Sequence, residues 1–79
     1  MNGVIFLLGK NPKNVTHRIT LGDQAKAHDD LAGAVVEYRA ALRLKNDRET
    51  HKKLGDLYRQ LDDKEKAVAE YAAAYRDDD

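Results

Sequence analysis

The sequence predicts an all-α protein in which one helical hairpin is used twice. Three observations carry this reading. The stretch from Leu21 to Leu44 recurs from Leu54 at an offset of 33, pairing Leu21 with Leu54, Gly22 with Gly55, Asp23 with Asp56, Glu37 with Glu70, and Tyr38 with Tyr71. A period in the low thirties marks a stacked helical repeat. Within each unit, apolar residues recur at helical spacing: Leu31, Ala34, Val35, Tyr38, Ala41 and Leu42, then Ala67, Val68, Tyr71, Ala74 and Tyr75. Each unit is also cut in the middle by an acidic pair, Asp29-Asp30 or Asp62-Asp63, and Asp is a strong helix N-cap.

Residues 1–14 read as an N-terminal arm with one apolar run, Val4, Ile5, Phe6, Leu7 and Leu8. That run is far shorter than the roughly 20 residues a membrane-spanning helix needs. It lacks the basic flank and small-residue cleavage site of a signal peptide. Left exposed it would be an aggregation hazard, so it is expected to dock on an apolar groove of its own or a neighbouring chain; the alternative is a disordered leader. Asn11-Pro12 signals a turn, with Asn14 as the expected cap of a first helix near 15–28. The buried stripe of that helix is weak: Arg18, Leu21, Ala25 and His28. A second helix near 31–44 follows Asp30. Gly33 inside it costs up to about 1 kcal/mol relative to Ala. Lys45-Asn46-Asp47 turns the chain into a third helix near 48–61, with Leu54, Leu57, Tyr58 and Leu61 on one stripe. A fourth, near 64–76, follows Asp63. Such short loops force antiparallel packing. The expected domain spans 15–79, divided into repeats at 15–46 and 47–79.

Composition narrows the function classes. There is no Cys, so disulfides and Cys-type zinc sites are excluded; the absence fits a reducing, cytoplasmic setting. Fourteen basic residues balance fourteen acidic ones, which argues against a nucleic-acid partner held by net charge. The balance is uneven along the chain, with seven basic and four acidic residues in 1–46 but seven and ten in 47–79. Opposite-signed ends favour head-to-tail association; the alternative is that the closing run Asp77-Asp78-Asp79 is a solvated tail.

Gly22 and Gly55 lie inside helices, where Gly is costly. The same cost at the same place twice implies a return, namely room for Tyr38 or Tyr71 on the paired helix. Ala34, Ala41, Ala67 and Ala74 are small where two backbones come close.

The pattern of Leu21, Gly22, Ala25, Ala34, Tyr38 and Ala41, repeated in Leu54, Gly55, Tyr58, Ala67, Tyr71 and Ala74, resembles the tetratricopeptide repeat. It departs from that family where Arg18 and His51 stand in place of a large apolar residue. It departs again where Asn46 and Asp79 replace the closing Pro. The resemblance implies four antiparallel helices stacked as a short superhelix. It also implies a concave groove, lined by the first helix of each hairpin, that binds a peptide or a partner helix. Here that groove would be formed by Thr16, Ile19, Asp23, Lys26 and Ala27 with Glu49, Lys52, Asp56, Arg59 and Gln60. The spacing of Ile19, Asp23 and Lys26, like that of Lys52, Asp56 and Arg59, independently gives a face distinct from the Leu stripe; the alternative is an ordinary solvated face laced with ion pairs. Family members that clamp the C-terminal carboxylates of heat-shock chaperones use Lys and Asn where this chain has Ile19, Asp23 and Lys53. Asp23 would repel a carboxylate, so that role is not expected.

Catalysis finds little support. His17 and His28 would lie about 16 Å apart on one helix, too far to share a metal, and His28 reads as a packed core residue. The chain has no Ser and no Gly-rich phosphate loop. Neither an enzyme nor a cofactor is expected. About three repeats are normally needed to bury a stacked core, and two leave Tyr71 and Tyr75 on a face that needs a cover. The expected function is a small adaptor or assembly scaffold for a protein or peptide, self-associating through Val4–Leu8 or through Tyr71 and Tyr75. The alternative is a purely structural oligomerisation module whose groove is filled by its own arm.

Overall fold

The computed structural model describes residues 12–76, which form four α-helices: α1 (Pro12–Ala27), α2 (Leu31–Leu44), α3 (Arg48–Gln60) and α4 (Lys64–Tyr75). Helices α1 and α2 make one hairpin, α3 and α4 a second, and α2 packed on α3 joins them. The fold is all-α, two helical hairpins in tandem. The expected arm contact through Val4–Leu8 lies outside the described residues.

The first helix starts at Pro12, three residues before the position expected. Proline has no N–H to lose in a first turn and its φ is already helical. Asn14 therefore lies within the first turn instead of ahead of it.

The two hairpin turns are built identically. Asp29 and Asp62 adopt φ of 63° and 62°, the left-handed region that Asp tolerates better than most residues. This bends the chain back so that Asp30 N–H bonds the Ala25 carbonyl at 2.8 Å and Asp29 N–H bonds Lys26 at 3.0 Å. Asp63 to Tyr58 and Asp62 to Arg59 repeat both distances. These bonds close the helix C-terminus. The next residue then opens the following helix. Asp30 accepts from Gly33 N–H at 2.9 Å and Asp63 from Lys66 N–H at 3.2 Å. Asp47, expected only as part of a turn, caps α3 in the same way through Thr50 N–H and the Thr50 hydroxyl, at 3.2 and 2.6 Å. That bond accounts for Thr50, a polar side chain buried to 1 % exposure.

His28 is not a core residue. Helix α1 ends at Ala27, and His28 falls in the left-handed turn, exposed, with its ring Nδ1–H donating to the Gln24 carbonyl at 2.8 Å. Arg18 is exposed as well, leaving Leu21 and Ala25 half-buried on that stripe. Leu61 closes α3 and is 45 % exposed.

The core is Ala34, Tyr38, Leu54, Leu57, Tyr58 and Ala67, with Ile19, Val35, Leu42 and Tyr71 packed around it. The glycines serve the expected purpose. A Cβ on Gly22 would lie 2.5 Å from Tyr38 Cε1, and one on Gly55 would lie 2.7 Å from Tyr71 Cε1.

Candidate functional site

Two polar bridges tie each hairpin together, and both recur at the 33-residue offset. In one, Arg18 donates to Glu37 at 3.0 Å, and His51 Nδ1 lies 2.7 Å from Glu70 Oε1. Arg18 and His51 are the two positions where a large apolar residue was expected from the resemblance, and a polar bridge across the hairpin stands at each instead. In the other, the Tyr38 hydroxyl donates to Asp23 and the Tyr71 hydroxyl to Asp56. A tyrosine that fills the space over a glycine thus also fixes a carboxylate on the α1–α3 side.

Around Asp23 these elements form a shallow open depression lined by Asp23, Lys26, Ala27, Tyr38 and Lys53. Lys53, from α3, reaches Asp23 with Nζ 3.0 and 3.2 Å from its two oxygens and sits 5.7 Å from the centre of the Tyr38 ring. Partial burial raises the Asp23 carboxyl. The hydrogen bonds from Tyr38 and Lys53, with the charges of Lys53 and Lys26, outweigh that and hold it below its ordinary value. Burial, then the hydrogen bond and charge of Asp23, push the Tyr38 hydroxyl well above the usual tyrosine range.

Of the residues expected to line a groove, Asp23, Lys26 and Ala27 meet in this depression, together with Lys53 and Tyr38, which were not expected there. The missed signal was periodic: Lys53 lies three residues before Asp56 and seven before Gln60, on one helical face. Thr16 is exposed, whereas Ile19 is half-buried and packs toward the core. On α3 the charged residues pair along their own helix, Glu49 with Lys52 and Asp56 with Arg59, each at 3.9 Å. Lys52 also lies 5.9 Å from the Tyr75 ring. The α1 half is therefore braced from the neighbouring hairpin through Lys53, while the α3 half is braced within its own hairpin, by Glu49, Asp56, Tyr71 and Tyr75.

Among the described residues, no group of His, Cys, Asp or Glu gathers with metal-binding geometry, and no helix is long and apolar enough to cross a membrane. No family model matches the chain, and comparisons with curated proteins and with solved structures return no match.

Proposed function

We propose that the chain is a protein-interaction module of the tetratricopeptide type, which takes a peptide or helix across the side formed by α1 and α3. The observation that carries this reading is the depression around Asp23. Side chains from α1, α2 and α3 converge there, and Lys26 and Lys53 stand beside one carboxylate whose charge Lys53 already meets. With the charge of Asp23 met by Lys53, Lys26 leaves this surface net positive toward an extended acidic segment, and binding sites of this kind gain affinity from side chains that are already held in place. Lys52 and Arg59 continue the basic character along α3.

The reading is tested by selecting binders from a random peptide library on the intact chain and measuring them by calorimetry. Acidic peptides are expected, with binding lost when Lys52 and Arg59 are both changed to Glu. Acidic peptides whose affinity is indifferent to these changes would overturn it.

A further inference from the structure

The two hairpins carry one face in common, and among the described residues only the first has it covered. On α2 this face is Val35, Tyr38 and Leu42, all packed into the core. Helix α3 covers it with Leu54 and Leu57, both 0 % exposed, and with Tyr58, whose hydroxyl accepts from Arg39 at 3.3 Å. Lys53 of the same helix completes the contact by meeting Asp23. At the 33-residue offset, α4 presents Val68, Tyr71 and Tyr75. Val68 is 65 % exposed and Tyr75 is 64 % exposed. Asp56 holds the Tyr71 hydroxyl as Asp23 holds that of Tyr38. Among the described residues, however, its nearest ion-pair partner is Arg59 of its own helix, at 3.9 Å.

Helix α3 is thus a physical template for what this second face accepts. We propose that α4, together with Asp56, receives an amphipathic helix of a partner protein carrying Lys-Leu-x-x-Leu-Tyr. Its lysine pairs with Asp56 and its leucines pack on Val68, Tyr71 and Tyr75. This surface lies apart from the depression around Asp23 and does not depend on it, although Asp56 and Tyr75 also touch Arg59 and Lys52. A second copy stacked head to tail does not meet the requirement. Where α3 has Lys53, Leu57 and Tyr58, α1 has Thr20, Gln24 and Ala25. Such a copy would bring no cation to Asp56 and would bury the Gln24 amide against apolar side chains, which costs free energy unless a hydrogen bond compensates. The leading edge of the first hairpin is polar, as in the terminal units of repeat proteins, and its trailing counterpart on the second is apolar.

The test uses the full chain titrated with a blocked synthetic peptide spanning residues 47–61, the α3 segment itself, followed by NMR. Saturable shifts are expected at Val68, Ala72 and Tyr75. A peptide carrying Lys53→Glu should bind about five-fold more weakly, a change that leaves the protein untouched. The chain carrying Asp56→Lys should prefer the K53E peptide over the original. Absent shifts, shifts centred on Val35 or on the α1–α3 depression, or equal binding of the two peptides would each overturn the proposal. So would a dimer of the chain that Val68→Glu dissociates, because a second copy would then be the occupant.

Discussion

The first and second hairpins have the same glycine, the same tyrosine, the same capping aspartates and the same carboxylate, yet they differ in how far those residues are buried. Tyr38 is 1 % exposed, whereas Tyr71 is only partly buried. Asp23 meets a lysine from the neighbouring hairpin, whereas among the described residues the cation beside Asp56 is Arg59 of its own helix. Motifs shared by two hairpins set the geometry inside each one. How much water each motif sees is set by the next layer, and among the described residues only the first hairpin has one on its trailing side.

The comparison can be broken most forcefully at the tyrosines. Tyr38→Ala should cost about 3–5 kcal/mol, a large share of the stability of so small a domain, and the chain should lose its helical signal at ambient temperature. Tyr71→Ala, removing a ring already partly in water, should cost roughly 1–3 kcal/mol and leave a folded chain with a lower urea midpoint. Equal losses would mean that the two environments are alike in solution.

The glycines sharpen the same contrast. Gly22→Ala forces a methyl group against a ring that cannot move, and overpacking of this kind costs about 1–3 kcal/mol. Gly55→Ala meets a ring with water beside it, which can swing aside, so the better helix propensity of Ala should offset most of the cost, leaving under about 1 kcal/mol. Gly33 should behave oppositely. The nearest atoms to its added Cβ would be those of the Asp30 carboxylate, and at the equivalent place Lys66 keeps its cap from Asp63 at 3.2 Å. Gly33→Ala should therefore stabilise the chain by up to about 1 kcal/mol, read as a higher urea midpoint.

Asp29 and Asp62 hold left-handed backbone that Gly adopts freely. Asp29→Gly and Asp62→Gly should each stabilise by about 0.5–1 kcal/mol, similarly in both hairpins because the turn is local. Thermal melts of the two variants check this.

A smaller effect separates the hairpins by pH. Asp23 titrates below its unfolded value, so its contribution is present above about pH 4 and is lost as pH falls through the folded value. Tyr38 is shifted upward from an ordinary value of 10.0, so its contribution is intact below that pH and is lost progressively above it. Lys53→Met should remove part of the acid-side loss by taking away the cation that lowers Asp23. Arg59→Met should change that profile far less. Urea midpoints measured from about pH 2.5 to about pH 7, the range around the Asp titration, would separate them.

Much of this was legible in the sequence because it is local or periodic. Four helices, the caps at Asp30 and Asp63, and the fit of Tyr38 over Gly22 follow from residues that recur together. The bridges Arg18–Glu37 and His51–Glu70 were equally periodic, but Arg18 and His51 read only as departures from an apolar pattern, since no single helix shows what lies across from it. His28 was misplaced because the helical period was carried one residue past the point where Asp29 turns left-handed. The exposure of Val68 and Tyr75 could not be read from their own stripe, which is as apolar as that of Val35 and Leu42. Burial there depends on a neighbouring helix, and spacing within one helix carries no information about it.

Among the described residues one face is covered on α2 and open on α4, and the absence of cysteine makes this directly measurable. A single thiol is placed by Val35→Cys in one variant and by Val68→Cys in another, and its rate of reaction with an aromatic disulfide reagent is followed under native conditions. The thiol at position 68 should react at nearly the rate of an unfolded control, and the thiol at position 35 at least about ten-fold more slowly, the factor that roughly 1.4 kcal/mol of protection gives. Equal rates at the two positions would contradict the account, because the α4 face would then be as well covered as its counterpart on α2.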